Sequence, residues 1–245
     1  MTVQSTWWNE NHVREYLQFG DDGQPGRREQ LDILFSVLPA APDAPMRLLD
    51  LGCGDGVLLD TLLQAYPQAA RAAAVDSAPA MLERARARLK RYPSVELIET
   101  DLADTEWATT LGRGGKFDIV VSRFAIHHLE DDAKKALFRN VYGLLERDGV
   151  FVNIEHVQSR SPRGENLFEA WYAAHLARME QASGGERGYG AFLTAFRSRP
   201  GKEANRLAHV EDQMRWMDEA GFCDVECVWK SFELAMIVGF QGDAA

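Results

Sequence analysis

In the segment 46–67, MRLLDLGCGDGVLLDTLLQAYP, an apolar run passes into glycines at alternate positions and then into a helical pattern. Few folds accept that succession. Leu48, Leu49 and Leu51 have the continuous hydrophobicity of a strand buried on both faces, with Asp50 near its carboxyl end. Gly52, Gly54 and Gly56 follow, and glycine permits positive φ and lets a ligand approach where a Cβ would obstruct it. Val57, Leu58, Leu62, Leu63 and Tyr66 then fall at helical spacing, and Pro67 stops the helix. This is the first β-loop-α unit of a parallel, doubly wound sheet, and it predicts a site for a nucleoside-bearing cofactor.

The loop alone leaves two cofactor classes open. A dinucleotide fingerprint, GxGxxG, needs a third glycine three positions after the second, where the pyrophosphate meets the helix N-terminus. Val57 stands there. The spacing is GxGxG with an acidic residue in the preceding strand, which resembles motif I of the class I S-adenosylmethionine-dependent methyltransferases. That cofactor has no phosphate, so carboxylates for its hydroxyls and ammonium carry more of the binding. A glycine turn that merely packs is the bland alternative.

The 245 residues, 46% hydrophobic and 26% charged, can bury a full core as one domain with an elaboration. Against 27 Lys and Arg stand 37 Asp and Glu, a formal net charge of −10. That surface repels a phosphate backbone, which disfavours nucleic acid and favours a small-molecule acceptor. The 3 cysteines, Cys53, Cys223 and Cys227, offer no disulfide framework and no CxxC pair for a metal. Cys53 reads as a small apolar filler of the glycine loop. The first residues, MTVQSTWWNENHVREYL, lack a signal-peptide pattern, and no run approaches membrane-spanning length. A cytoplasmic protein with no membrane partner is predicted, and a homodimer is compatible with this reading.

Four segments emerge along the chain. Residues 1–45 form an N-terminal cap, with a helix over 24–38 carrying Leu31, Ile33, Leu34, Phe35 and Leu38 and then a Pro/Ala-rich linker. Residues 46–157 form the core, with strands at 48–51, 72–75, 95–99, 117–121 and 150–157 and helices at 79–90 and 131–145. Gly149 is read as a turn before the fifth strand. Residues 158–206 form an inserted lid, helical over 167–179, then flexible at SGGERGYG. Residues 207–245 complete the core with a helix at 210–220 and two runs, 223–229 and 232–240, linked only by Lys230 and Ser231. So short a link permits a hairpin but no crossover. The expected fold is α/β: a doubly wound, mostly parallel seven-stranded sheet with an antiparallel last strand.

The resemblance to class I methyltransferases now covers most of the chain. It rests on LDLGCGDG at 49–56, VDSAPAMLERAR at 75–86, TDLAD at 100–104, FDIVVSRFAIHHL at 117–129 and LLERDGVFVNIEHV at 144–157. It implies S-adenosyl-L-methionine as cofactor, held by Asp50, Gly52, Cys53 and Gly54. Asp76 would receive both ribose hydroxyls with Ser77 beside it among the cofactor residues, and Met81 would pad the adenine. Asp101 and Leu102 would meet the adenine edge. Ser122, Arg123 and Phe124 would line the sulfonium. Ordinary alternatives stand beside these: a helix cap near Asp76, a turn aspartate at Asp101, a core methionine at Met81. His127 and His128 lie beyond the fourth strand, and histidine has a pKa suited to a general base, so they are the candidate catalytic residues. One or both could equally be structural. A metal site from His127, Glu155 and His156 has no ligand-spacing motif behind it, and no metal is expected.

Phrases such as DSAPAMLERAR and MRWMDEAGFCDVECVWKSFELAMIVGF are also similar to the carboxy-S-adenosylmethionine synthases, which move a carboxyl group onto the cofactor and hold a carboxylate with arginine. Arg197 and Arg199 fall roughly where such an arginine would lie, although the histidine pair departs from that family. The same arginines could hold a carboxylate on a methyl acceptor, or Arg197, Arg199, Lys202 and Arg206 could form a solvated surface. Tyr16, in YLQFGDDG, and Trp171 are candidates for the acceptor pocket, with Trp7, Trp8, Phe19 and Tyr172 as further aromatics. A non-catalytic cofactor-binding module is the alternative from another class, and a nicotinamide oxidoreductase is more distant.

Overall fold

The computed structural model describes residues 24–242 apart from 105, 200 and 201. Seven strands form one sheet: β1 (Arg47–Leu51), β2 (Arg71–Asp76), β3 (Val95–Glu99), β4 (Phe117–Arg123), β5 (Leu145–His156), β6 (Cys223–Ser231) and β7 (Leu234–Phe240). Their order is β3-β2-β1-β4-β5-β7-β6. β1 to β5 pair in parallel, and β7 runs antiparallel to both β5 and β6. This is the doubly wound sheet with an antiparallel last strand that the sequence predicts.

The helices are α1 (Arg27–Val37), α2 (Val57–Ala65), α3 (Pro79–Arg88), α4 (Glu106–Gly112), α5 (Asp131–Leu144), α6 (Pro162–Ala182), α7 (Tyr189–Arg197) and α8 (Val210–Ala220). Leu48 joins an apolar cluster with Leu34, Leu62 and Leu82 of α1, α2 and α3 on one sheet face. Leu49 and Leu51 join another with Trp107, Phe138 and Met217 of α4, α5 and α8 on the opposite face. All three leucines are fully buried, each worth roughly 1.5–3 kcal/mol on transfer from water, which is why β1 reads as an unbroken apolar run.

Three boundaries differ from expectation. Gly149 lies inside β5, at a register shift against β4, because Asp148 takes φ 62° and forms a bulge rather than a turn. The β6–β7 turn falls at Phe232 and Glu233, with Ser231 paired to Leu234, so Lys230 and Ser231 belong to β6. The inserted segment is more helical than predicted. Ser161 caps α6 by accepting from the Gly164 N–H at 3.2 Å, Pro162 opens its first turn, and α7 begins at Tyr189 inside the stretch expected to be flexible. Among the described residues, no helix is long and apolar enough to cross a membrane.

Candidate active site

The carboxyl ends of β1, β2, β4 and β5 meet at one edge of the sheet, where a reversal of strand order opens a crevice between β1 and β4. Gly52, Gly54 and Gly56 all have positive φ, at 68°, 54° and 79°. A Cβ on Gly52 would lie 2.2 Å from the Ala125 Cβ, so the close approach of β1 and the β4 loop requires glycine there. A Cβ on Gly54 would meet only the Met81 Cε, at 3.6 Å, and otherwise face open space. Gly54 is therefore the point where a ligand can come closest to the backbone.

Two carboxylates flank the loop. Asp76 accepts from the Gly54 N–H and the Ala78 N–H, each at 2.8 Å, fixing the loop to the end of β2. Burial raises its pKa, opposed by those amide donors. Asp50 is 1% exposed and held by the Leu59 N–H, one of the unsatisfied donors in the first turn of α2. Burial pushes Asp50 up to about 7, with Asp76 adding to the shift and Arg123 opposing it. Its Oδ2 is buried without a hydrogen-bond partner among the described residues. Such an oxygen suits a cationic donor brought by a ligand. Cys53 is buried and its thiol pKa is raised well above normal by desolvation, which makes it a filler of the loop.

The remaining expected cofactor residues fall at the same edge in different states. Met81 is buried beside Gly54, and Leu102 approaches the Gly52 position. Ser77 is half-buried. Asp101 is exposed and accepts from the Ala103 N–H at 2.9 Å, a turn aspartate at the end of β3. Ser122 is buried and donates to the Leu51 carbonyl at 2.8 Å, so its side chain ties β4 to β1. Arg123 lies over the Phe124 ring at 5.0 Å, and Phe124 takes φ 52°, a conformation that costs a non-glycine residue roughly 1–3 kcal/mol.

The histidine pair occupies a short 3₁₀ turn, Ile126–His128. His127 Nδ1 lies 2.6 Å from Glu155 Oε1, and burial lowers the histidine pKa while raising that of Glu155 to about 7. His128 bonds the Ala204 backbone, and desolvation lowers its pKa too. The Arg206 N–H donates to the His127 carbonyl at 2.7 Å, and the buried Lys134 donates to the Arg206 carbonyl. Both histidines thus hold down the end of the inserted segment.

A cavity of about 440 Å³ lies between the end of β5 and the inserted helices, lined by His156, Phe168, Phe196, Arg199, Lys202 and Glu233 among others. His127 and His128 do not border it. Arg199 is half-buried, lies 4.0 Å over the Phe196 ring and donates to the Phe196 carbonyl at 2.6 Å. Its guanidinium makes no ion pair within 4.0 Å among the described residues, and desolvation lowers its pKa. Arg197 differs, being bound to Glu169 at 2.7 Å and to Asn166 at 2.9 Å. Lys202 pairs with Glu165 and Glu169, and Arg206 with Glu130. Among the described residues, Arg197, Lys202 and Arg206 are thus ion-paired, whereas Arg199, which faces the cavity, is not. Trp171 packs on Phe168 and Phe232, while Tyr16 and its neighbouring aromatics lie outside the described residues.

Sequence reasoning missed the pairing of His156 with Glu233, whose Nε2 and Oε2 lie 2.9 Å apart. Glu233 is only 3% exposed. The one available signal was a glutamate placed immediately before the apolar run of Leu234–Phe240.

A methyltransferase-domain family profile matches residues 48–149. The chain is 32% identical over 138 residues to the trans-aconitate 2-methyltransferase of Rhodopseudomonas palustris, covering 56% of this chain and 47% of that protein. It is 25% identical over 199 residues to the carboxy-S-adenosyl-L-methionine synthase of Wolinella succinogenes, covering 80% and 76%. The chain thus spans about half the length of the first of these relatives. Among solved structures, the magnesium protoporphyrin IX methyltransferase of Synechocystis with bound SAH aligns at TM-score 0.62 and 17% identity over 96% of both chains. An O-methyltransferase family protein of Burkholderia thailandensis aligns at TM-score 0.60 and 15% identity over 97% and 64%.

Proposed function

We propose, since this chain belongs to the class I S-adenosylmethionine-dependent methyltransferase superfamily, that it methylates a small-molecule acceptor carrying an anionic group. The observation that carries this reading is Arg199, a cation without a carboxylate partner among the described residues, facing a cavity beside the cofactor edge. S-adenosylmethionine, when bound, supplies a methyl group on an electron-poor sulfonium. The residues present fit it. Asp50, with its unpartnered buried Oδ2, would receive the ammonium, the open face at Gly54 would admit the cofactor, and Asp76 would meet the ribose. The chain's own work is to orient and dehydrate. The inserted helices wall the cavity with Phe168 and Phe196, and the guanidinium of Arg199 can take a carboxylate in a bidentate fork.

The test is calorimetric titration with S-adenosylhomocysteine together with turnover of labelled methyl donor over a metabolite extract. Label in the fraction retained by an anion exchanger is expected. Label only in cationic products, or in neutral ones that saponification does not turn into acids, rejects the anionic acceptor, and binding without transfer favours the non-catalytic module. A second reading, carboxylation of the cofactor itself, is favoured by the synthase relative that covers 80% of this chain and by the same Arg199. Mass spectrometry of the cofactor released from purified protein separates the two, because only the second yields a carboxylated cofactor.

A further inference from the structure

We propose that His156 is the proton acceptor of the reaction and Glu233 its positioning residue, so that the acceptor presents a protonated nucleophile, a hydroxyl above all, beside its anionic group. This rests on the methyl-transfer reading above. His156 ends β5, lines the cavity with Arg199, and keeps a side chain 12% exposed. Its backbone and its ring are both held. The main-chain N–H donates to Glu155 at 2.8 Å, Nε2 faces Glu233 at 2.9 Å, and the Phe168 ring stands 5.4 Å away.

Glu233 is itself held in place. It occupies the second position of the two-residue turn between β6 and β7, and its carbonyl accepts from the Val157 N–H at 2.7 Å. Phe232, the first turn position, takes φ 54°, a strained choice for an aromatic residue, and its ring packs 5.1 Å from Trp171. Phe232 points out and Glu233 points in. A carboxylate placed this far from water opposes folding unless it is paired, and its partner here is one imidazole. Accepting the Nε2–H, Glu233 selects the tautomer that leaves Nδ1 with a lone pair.

That lone pair is what a hydroxyl acceptor requires. The acceptor proton moves to Nδ1, the oxygen lone pair forms the bond to the methyl carbon, and the electron pair of the carbon–sulfur bond stays on sulfur. S-adenosylhomocysteine leaves neutral at sulfur, and the imidazolium returns its proton to solvent. A carboxylate acceptor would need no such base, so the dyad discriminates between ester and ether products. The titratable groups beside His156 are Glu155 on its own strand, His127 and His128 from the turn after β4, and Glu233, while Arg199, Lys202, Arg160, Glu165, Glu169 and His209 line the same cavity.

The experiment offers the full chain labelled methyl donor and a panel of aliphatic and phenolic hydroxycarboxylic acids, each beside its deoxy counterpart. Products are located by NMR, and S-adenosylhomocysteine binding is measured by calorimetry. Transfer to the hydroxyl is expected, with a rate that climbs with pH along a limb of unit slope. His156→Gln retains an amide donor for Glu233, and should lower kcat by roughly 10²–10⁴-fold, abolish that limb, and leave KM and S-adenosylhomocysteine affinity within about twofold. Nitrogen NMR of the wild type should show His156 protonated at Nε2 and bare at Nδ1. Methyl esters as the only products, an unchanged rate or pH limb in His156→Gln, or a proton on Nδ1 would each overturn the proposal. Firm S-adenosylhomocysteine binding with no panel member methylated also overturns it while sparing the cofactor reading, whereas absent binding removes both.

Discussion

His127 Nδ1 and Glu155 Oε1 lie 2.6 Å apart with both side chains removed from water. Burial favours the neutral form of each, raising Glu155 from 4.5 to about 7 and lowering His127 below 6.5. Between about pH 4.5 and 6.5 the unfolded pair carries its one proton on the histidine, and the folded pair carries one on the glutamate. Folding changes where the proton sits and leaves the number bound the same, so the pair adds almost no pH dependence in that window.

Glu155→Gln removes this compensation. The unfolded chain then takes up a proton at His127 below about pH 6.5 that the folded chain refuses, so stability falls as pH falls. Relative to wild type, the variant should lose about 2 kcal/mol more between pH 7 and pH 5, since each unit of pH is worth about 1.4 kcal/mol per proton. Urea unfolding at both pH values measures it. Equal slopes for the two proteins would show that the pair is not the neutral one described.

Gly52 and Gly54 share positive φ and differ in what lies beyond the missing Cβ. Gly52→Ala meets Ala125 at 2.2 Å and should destabilise the fold by several kcal/mol or prevent its accumulation. Gly54→Ala meets only the Met81 terminus, so its cost to the fold is the backbone strain of about 1–2 kcal/mol, while S-adenosylhomocysteine affinity should drop at least tenfold. Thermal unfolding and calorimetry on the two variants distinguish a packing glycine from a ligand-facing one. Identical profiles would refute the distinction.

The β1-loop-α2 unit was legible because its signals are local: a run of buried leucines, glycines where φ turns positive, and 3.6-residue spacing afterward. The parallel sheet with its antiparallel last strand followed from the same signals repeated, whereas the order β3-β2-β1-β4-β5-β7-β6 came only with the structure. What escaped depends on partners distant in sequence. Glu233 and His156 are 77 residues apart, and their meeting turns on a hairpin placed at Phe232, a residue that turn rules would not choose for positive φ. The α7 helix begins at Tyr189, between Gly188 and Gly190, and gains its support from Phe192 packing on Ala173 and Leu176 of α6. Tertiary burial there outweighs local glycine content. The start of α6 was readable, since Ser161 and Pro162 are a cap and a first-turn proline, but apolar spacing alone drew attention to Leu167.

Asp76 joins the glycine loop to β2 through two main-chain donors at 2.8 Å. Asp76→Asn keeps one acceptor oxygen and turns an amide N–H toward the second donor. Leaving one of these N–H groups unsatisfied should cost about 1–3 kcal/mol of stability and weaken S-adenosylhomocysteine binding at least tenfold. Urea unfolding and calorimetry read the two effects separately. A variant that binds normally would mean that Asp76 serves only the loop.

Arg199 makes no ion pair within 4.0 Å among the described residues, with Glu169, Glu233 and Glu165 acting on it only at longer range, and it is stacked at 4.0 Å on Phe196 with one bond to that residue's carbonyl. Desolvation already lowers its pKa, so the protonated guanidinium works against the folded state. Arg199→Met preserves the length and the packing on Phe196 while removing the charge. Its Tm should stay the same or rise, by the equivalent of about 1 kcal/mol, because an apolar side chain suits the half-buried position better than a cation whose desolvation the distant carboxylates offset only in part. Binding of an anionic acceptor should weaken by roughly 10–100-fold, the range expected for a lost charge-assisted hydrogen bond. Arg199→Lys keeps the charge but not the fork, and should recover only part of that loss. A Tm lowered by several degrees in Arg199→Met, with acceptor binding untouched, would assign Arg199 to the scaffold of the inserted segment.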